Sequence, residues 1–212
     1  MKLGTTAALW RYPIKSLQGE ALEAARVEHG GIPGDRATSL IVVEGHARRN
    51  KPYRGKEDER LHRLRSAEQA CRAARERGVT LDALEAHDGH DFDAAPISVI
   101  VDRWLEPLTA SVGYPVEYQR FRPNLFVSAS PDFAMDEPML AGRELRAGTV
   151  VLRVRSPIGR CVTTTYDPID ERADPAILRY IATRRENAMG IYCDVVRAGN
   201  VRIGDALVLE DR

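Results

Sequence analysis

Cysteine is scarce in this chain, and its cysteines lie far apart. The 212 residues include three, at positions 71, 161 and 193. The odd number and the wide spacing argue against a disulfide framework and for a reducing compartment. No CxxC pair is present, which argues against a structural zinc site or an iron–sulfur centre. These features predict a cytoplasmic protein with free thiols.

Long apolar runs and net charge are also absent. No segment approaches the roughly 20 apolar residues that a membrane-spanning helix needs, and Arg11 and Lys15 interrupt the N-terminus before an apolar stretch reaches signal-peptide length. The 31 basic and 31 acidic side chains give a formal net charge of +0. No overall field therefore favours nucleic acid or a membrane, and we expect neither as a partner. Any anion binding must come from local clusters of cations.

Short strands bounded by Gly or Pro dominate the pattern. The predicted strands cover residues 7–12, 21–28, 38–43, 116–121, 124–128, 149–156, 160–166, 191–196 and 201–209. The predicted helices cover residues 66–78, 95–113 and 175–187. Ser66 and Gln69 form a capping box for the first of these, and Gly78 marks its end. The pattern predicts a mainly β (α+β) fold, a barrel with a few peripheral helices, instead of alternating βαβ units.

Two further assignments concern organisation. We expect an N-terminal β module with a basic segment and a helix over residues 1–95, and a β-barrel over residues 96–212, or one continuous unit. Residues 81–92 are predicted to form a hairpin around Asp88-Gly89, a pair that suits a type I′ turn. We interpret His87, His90 and Asp91 as its polar tip, because they lack metal-ligand spacing on a rigid element.

Cys161 is the cysteine whose neighbours in the sequence are polar and indicate a reactive site. Pro157 and Gly159 form a turn that delivers it to the start of a predicted strand, where alternation places Cys161, Thr163 and Thr165 on one face. A thiol and two hydroxyls suit a pocket better than a core. Neighbouring Arg160 is expected to favour the thiolate, which acts as a nucleophile or a soft-metal ligand.

The other two cysteines have core patterns. Cys71 shares a helix face with alanines, and Cys193 alternates with Ile191 and Val195. We predict that both pack as small apolar residues.

Four segments carry clustered cations. Lys15 and Ser16 follow the first strand, and Arg36 follows a glycine-rich loop whose backbone N–H groups can face an anion. Arg120 and Arg122 lie two apart, on one face of a predicted strand. Residues 48–65 hold a local excess of basic over acidic side chains. That last segment is either a surface for an acidic or nucleic-acid partner or, more economically, a basic lid over the Cys161 pocket.

Five ordered motifs resemble the MOSC family, named for the C-terminal domain of molybdenum-cofactor sulfurases. They cover nearly the whole chain: YPIKS at 12–16, GIPGDR at 31–36, RFRPN at 120–124, GRCVTTTYDP at 159–168, and GIY at 190–192 with GNVRIGD at 199–205. Their order is similar to the subgroup with an N-terminal MOSC-type barrel, which includes the mitochondrial amidoxime-reducing component. The resemblance implies a MOSC-type β-barrel fold.

The resemblance also implies a site. In the reductase branch a cysteine ligates molybdenum, and Cys161 holds the matching position. By the same carry-over Lys15, Ser16 and Arg36 would hold the pterin or phosphate of the molybdenum cofactor (molybdopterin). Arg122 and Asn124 would contact the pterin and the metal region, and we add Arg160 and Thr163 as cofactor-binding neighbours of Cys161.

The departures from the family pattern leave the substrate open. Asp167-Pro168 is not followed by the Thr-Gly common in the reductases, and residues 53–57 match no motif of the characterised reductases.

Three functions fit these residues. The first is a molybdenum-cofactor oxidoreductase that reduces N-hydroxylated or related N–O or S–O substrates. With no flavin, nicotinamide or iron–sulfur motif in the chain, its electrons would come from a separate reductase partner. The second is a sulfur carrier that holds a persulfide on Cys161 and needs no cofactor. The third is a binding module that uses residues 48–65, which the neutral charge and the few aromatics disfavour.

Overall fold

The computed structural model describes residues 1–86, 92–169 and 172–210. Strands dominate this part of the chain, as predicted. They are β1 (Lys2–Arg11), β2 (Glu20–Leu22), β3 (Ala24–Val27), β4 (Thr38–Glu44), β5 (Thr80–Glu85), β6 (Ile97–Val101), β7 (Leu125–Ala129), β8 (Glu144–Ala147), β9 (Val150–Gly159), β10 (Ala188–Arg197), β11 (Gly199–Arg202) and β12 (Ala206–Leu209). The α-helices are α1 (Ala67–Glu76), α2 (Asp102–Val112), α3 (Glu137–Leu140) and α4 (Pro175–Arg184), and 3₁₀ helices cover Glu59–Arg63, Tyr118–Phe121 and Val162–Thr165.

Seven of the described strands close into a barrel. The sheet runs β12-β8-β9-β10-β6-β7-β1, and β12 also pairs with β1. Closure leaves no free edge among these seven strands. The barrel core is apolar, and β6 is buried along its whole length. The mainly β barrel fold is confirmed, and its strands come from both ends of the chain.

A second, smaller apolar cluster lies outside the barrel core. It gathers around the β4–β5 pair and α1, and includes Leu40, Tyr53, Leu61 and Leu81. Helix α1 is the predicted one. Ser66 accepts a hydrogen bond from the Gln69 N–H at 3.2 Å.

The predicted helix over residues 95–113 is wrong in its first third. Ile97–Val101 is a strand that pairs with β7 in parallel and with β10 antiparallel, and the helix begins only at Asp102. An apolar run that is buried on every side suits a central strand as well as a helix, and here four of its five residues are β-branched.

The predicted hairpin over residues 81–92 also differs. Strand β5 pairs with β4, which precedes it by a whole helix. The proposed tip, His87 to Asp91, lies outside the described residues. The closing segment predicted over residues 201–209, with a turn at Gly204-Asp205, forms two strands, β11 and β12, and Gly204 at φ 93° lies in the predicted turn between them.

No helix in the described ranges is long and apolar enough to cross a membrane.

Candidate functional site

One cavity brings together most of the residues selected from the sequence. Its volume is about 230 Å³, and its lining includes Lys15, Ser16, Arg36, Arg122, Arg160, Cys161 and Thr163. These residues are spread over almost 150 positions, and the fold gathers them at one place. Of the residues expected to bind the cofactor, Asn124 alone does not line it.

Cys161 reaches the cavity through a turn. The predicted strand over residues 160–166 is wrong, because Val162–Thr165 is a 3₁₀ helix with Cys161 in extended backbone before it. The Thr164 hydroxyl donates to the Cys161 carbonyl at 2.9 Å, and the Thr165 hydroxyl donates to the Val162 carbonyl at 2.7 Å. Such local bonds compete with strand pairing and stabilise a turn.

Cys161 and Thr163 are therefore in contact because of this turn, and not because they share one face of a strand. Sγ of Cys161 lies 3.2 Å from Oγ1 of Thr163, and Cys161 is exposed. Thr165 is buried and does not line the cavity, so the predicted common face of three residues does not form.

Arg120 holds this turn in place. The predicted strand over residues 116–121 is wrong, since Tyr118–Phe121 is a 3₁₀ helix. Arg120 is buried, donates to the Thr165 carbonyl at 2.9 Å and forms an ion pair with Asp167. Arg120 therefore anchors the Cys161 turn, and the placement of Arg120 and Arg122 on one strand face is also wrong.

Arg122 is bound on one side only. It has φ 52°, a left-handed conformation that few non-glycine residues adopt. Its Nη1 donates to the Leu17 carbonyl at 2.5 Å, whereas its buried Nη2 has no hydrogen-bond partner among the described residues. Burial lowers the pKa of Arg122 to about 10. The group stays charged at neutral pH.

Tyr12 forms the floor between two arginines. The guanidinium carbon of Arg122 lies 4.2 Å from the centre of its ring, and that of Arg36 lies 4.9 Å away. Cation–π contacts of this kind hold guanidinium groups without using all of their N–H donors. Arg36 also pairs with buried Asp35, which in turn accepts from the Tyr12 N–H at 2.7 Å.

Lys15 and Ser16 leave β1 in a tight turn. The Lys15 N–H donates to the Thr38 carbonyl at 2.8 Å, and Ser16 has φ 70°. Nζ of Lys15 lies 3.0 Å from a carboxylate oxygen of Asp93, which also lines the cavity. A carboxylate thus enters an otherwise cationic site.

Arg160 differs from its sequence interpretation. Its guanidinium donates to the Met189 carbonyl at 2.8 Å and to the Phe121 carbonyl at 3.0 Å, and burial lowers its pKa to about 10. Arg160 ties β10 to the Tyr118–Phe121 turn at the cavity wall. An effect of Arg160 on the Cys161 thiol stays a prediction.

Asn124 supports the site from behind. It is buried, and its Oδ1 accepts from the Ser98 N–H at 3.1 Å and the Ser98 hydroxyl at 2.9 Å. Its Nδ2 donates to the Trp10 carbonyl at 3.3 Å. These bonds join β1, β6 and the start of β7 next to Arg122, so Asn124 supports the cationic wall from outside the cavity lining, and its contact with a cofactor stays a prediction.

The basic segment closes the opposite side of the cavity. Its Arg54, Gly55, Lys56 and His62 are part of the lining. Of the two interpretations of residues 48–65 that the sequence left open, the lid over the pocket agrees with this position. Nε of Arg54, like Nη2 of Arg122, is buried without a hydrogen-bond partner among the described residues.

Sequence reasoning also missed Asp93, Ser98 and Tyr192 at this cavity. The sequence did contain a signal for Tyr192, because this residue belongs to the GIY motif and lies between buried Ile191 and Cys193 on β10. Burial, followed by the charge of Asp93, raises the pKa of Tyr192, so its hydroxyl stays protonated at neutral pH.

The other cysteines lie away from the cavity. Cys193 is buried in the barrel core, and burial raises the pKa of its thiol. Cys71 packs against the second cluster, and its thiol lies 3.7 Å from the Leu81 carbonyl. Within the described ranges, no group of three or more His, Cys, Asp or Glu side chains is placed to hold a metal ion.

Curated proteins resemble about half of this chain. Two curated relatives are the mitochondrial amidoxime-reducing component 1 of Mus musculus, 29% identical over 130 residues, and component 2 of Macaca fascicularis, 27% identical over 126 residues. These matches cover 55% and 53% of this chain, but only 37% and 36% of the relatives. The matched region is therefore little more than a third of the length of either relative.

A solved structure, that of the YuaD protein from Bacillus subtilis, matches the whole fold. It covers 96% of this chain and 93% of its own, with a TM-score of 0.56 and 18% identity. At that identity the likeness concerns the fold alone.

The family models divide the chain in two. The MOSC N-terminal beta barrel domain matches residues 3–90, and the MOSC domain matches residues 86–208. The second match alone covers more than half of the chain and includes Arg122, Arg160 and Cys161. The chain belongs to the MOSC domain family.

Proposed function

We propose that this chain binds a molybdenum cofactor through Cys161 and the cationic cavity and reduces N-hydroxylated or related N–O or S–O compounds. Electrons would come from a separate reductase partner. The observation that carries the proposal is the convergence of an exposed thiol with Lys15, Arg36 and Arg122 on one cavity.

The donor set fits the two ends of such a cofactor. Its phosphate needs forked, positively charged donors, and the buried Nη2 of Arg122 has no hydrogen-bond partner among the described residues. Molybdenum in this cofactor prefers sulfur, and Cys161 presents the one thiol at the cavity. A single protein thiol suits a metal that brings other ligands with it, as a dithiolene does.

The residues divide the work. Arg36, Arg122, Lys15 and Ser16 would bind the anionic end, and Cys161 would bind the metal with Thr163 beside it. When bound, the cofactor supplies the two-electron chemistry. Reduction of an N–OH group to N–H consumes two electrons and two protons and releases water. Protonated Tyr192 in the same lining is suited to donate a hydrogen bond to the oxygen that leaves.

The relatives support the reductase. Their names describe amidoxime-reducing components, and they align with this chain over 126 to 130 residues. The test is to purify the protein from a host that makes molybdenum cofactor, measure molybdenum and pterin, and assay reduction of an aromatic amidoxime with a chemical reductant. Cofactor-free protein from that host, with no reductase activity, would overturn the proposal.

A separate experiment tests whether Arg122 binds the anionic end of the cofactor. Loss of one charge-assisted contact in Arg122→Ala is expected to lower cofactor affinity by about 1.5–3 kcal/mol, or roughly ten- to a hundredfold. Arg122→Lys should recover only part, because an ammonium cannot replace a guanidinium fork. Arg26→Ala is the matched control, since Arg26 is exposed and forms an ion pair with exposed Glu28. Equal pterin content in all three variants would mean that Arg122 does not bind the cofactor.

A second function is favoured by the exposure of Cys161. An accessible thiol beside cations can carry a persulfide and pass its outer sulfur to an acceptor. Cyanide-labile sulfur on protein that contains no molybdenum, lost in Cys161→Ser, would support this function over the first.

A further inference from the structure

A small second chamber opens beside the Cys161 cavity. Its volume is about 50 Å³, and it shares His62, Arg120, Arg122 and Thr163 with the larger cavity. Three aromatic side chains contribute to its remaining walls, Trp10, Tyr12 and Tyr166, and the others are Gln18, Gly19, Gln119 and Pro168. Since an engineered cavity of about 150 Å³ holds benzene, this chamber admits only the edge of a ring that also extends into the main cavity.

His62 forms the boundary between the two chambers. It comes from the 3₁₀ helix Glu59–Arg63, which begins where the buried Asp58 side chain accepts from the Arg60 N–H. Arg60 binds Asp58 at 2.9 Å, Glu76 at 2.7 Å and the Ala73 carbonyl at 2.6 Å. These contacts fix the short helix against α1, so the position of His62 is rigidly defined.

Gly55 makes room for the imidazole. A Cβ at this position would stand 2.3 Å from Nε2 of His62 and 3.1 Å from the Thr163 methyl group. Real Cβ atoms do not approach so closely, so only glycine lets the ring lie between the basic segment and the Cys161 turn. The sequence departs from the family motifs at this segment, which is where the ring is accommodated.

The ring nitrogens of His62 are buried and unbonded. Neither has a hydrogen-bond partner among the described residues. A backbone group of Ser16 lies close enough to act on the ring, but outside hydrogen-bond geometry. Burial, followed by the charge of Arg122, lowers the pKa of His62 to about 3. The imidazole is therefore neutral, with one donor and one acceptor to offer, and buried polar groups of this kind normally have partners.

We infer that this chamber and His62 bind the edge of a flat, uncharged aromatic or heteroaromatic ring of the substrate, with His62 hydrogen-bonded to a polar atom that the ring carries. The inference rests on the proposed function, because it assigns the cationic part of the site to the cofactor. It names the substrate class as planar and neutral.

The chemistry of the walls favours such a ring over an anion. An aromatic ring packs well against Trp10, Tyr12 and Tyr166 in offset-stacked or edge-to-face arrangements. A neutral imidazole adds no positive charge, unlike the lysine and arginines across the cavity. A volume of about 50 Å³ also leaves less room for a puckered ring, which is thicker than an aromatic one.

The experiment measures binding without turnover. Protein purified from a molybdenum-cofactor-competent host is titrated with benzamide, which is flat, neutral and not reducible at nitrogen. Cyclohexanecarboxamide, which has the same amide on a puckered ring, is the comparison. Ligand-observed NMR gives the dissociation constants, and molybdenum and pterin are measured in each sample. The ¹⁵N shifts of the His62 ring report its hydrogen bonding directly.

We expect benzamide to bind more tightly than its puckered analogue and to move the His62 ¹⁵N signals. His62→Phe should weaken benzamide about tenfold, and His62→Gln, which keeps a donor and an acceptor, should weaken it less. Gln119→Trp should fill the chamber and abolish binding. His46→Phe is the matched control, since His46 is exposed and lines neither chamber.

Equal affinity across these variants, or equal affinity for the two amides, would overturn the inference. Loss of pterin in His62→Phe or Gln119→Trp would do so as well, since the chamber would then belong to the cofactor. Failure of the proposed function looks different. In that case amidoximes are not reduced, while His62-dependent binding of benzamide persists.

Discussion

The two walls of the cavity around Cys161 are held by different forces. On the barrel side, Arg122 and Cys161 stand at the ends of strands that belong to a closed sheet. On the other side, residues 54–62 lie in no strand, and the ion pairs of Arg60 with Asp58 and Glu76 hold them. The barrel wall contains the family motifs, whereas the second wall does not. We infer that the first wall binds what the family shares and the second selects among substrates.

The largest effect separates Cys161 from the cysteine of the barrel core. Cys161→Ser should remove molybdenum and reduce amidoxime reduction by about a thousandfold or more, because a hydroxyl is a poor ligand for a metal that prefers sulfur. Cys193→Ala should leave molybdenum content unchanged and lower only stability, through a small cavity. Metal analysis, initial rates and urea unfolding measure the three quantities. Full activity in Cys161→Ser would remove Cys161 from the chemistry.

The next effect tests how the barrel wall is supported. Arg120→Ala removes the arginine of the buried ion pair with Asp167 and the bond to the Thr165 carbonyl. Loss of one member of a buried ion pair costs about 3–5 kcal/mol of unfolding free energy. Exposed Arg153, which pairs with Glu144 at 2.6 Å, is the control, and Arg153→Ala should cost less than about 1 kcal/mol. Similar urea midpoints for the two variants would contradict an anchoring role for Arg120.

For the barrel wall, the sequence predicted which residues lie at the cavity better than it predicted the backbone conformation around them. Lys15, Arg36, Arg122 and Cys161 were placed at one site because each follows a turn signal near a strand end. The Cys161 turn was missed because Thr-rich runs favour strands, and its threonine hydroxyls bond back to the chain instead. Such local bonds depend on the anchor at Arg120, which lies more than 40 residues earlier in sequence.

The second wall was less accessible to sequence reasoning. An excess of basic residues pointed to a lid, but nothing in the pattern singled out His62 from its charged neighbours. Its significance depends on Gly55 and Thr163, which approach it only in the folded chain. Asn124 is the opposite case. Its motif pointed to a ligand contact, which stays a prediction, and the structure shows its side chain hydrogen-bonded to Ser98 and Trp10.

An effect of intermediate size is the pH dependence of the unfolding free energy that His62 in the second wall causes. The pKa of His62 is lowered to about 3 in the folded protein, against about 6.5 in an unfolded chain. The unfolded state therefore binds a proton first as the pH falls, and stability is lost from about pH 6.5 down to pH 3. Between pH 7 and pH 5 the loss is about 2 kcal/mol. His62→Phe should remove this component, as measured by urea unfolding at both pH values, and His46→Phe should keep it. An equal pH dependence in the two variants would show that His62 is not buried as a neutral ring.

The smallest effect concerns the helix that supports the second wall. Ser66→Ala removes the side chain that caps the Gln69 N–H, and such changes typically cost about 1 kcal/mol. Helix α1 contributes Glu76 and the Ala73 carbonyl to Arg60, so fraying of its first turn should loosen the His62 wall before the barrel. We therefore expect a lower urea midpoint with an unchanged slope, weaker benzamide binding, and the same molybdenum content as the wild type. Ser111→Ala, at an exposed position in α2, is the matched control and should change none of these. If Ser66→Ala lowers molybdenum content and benzamide affinity in parallel, the two walls do not respond independently, and the division between a shared cofactor wall and a selective substrate wall is wrong.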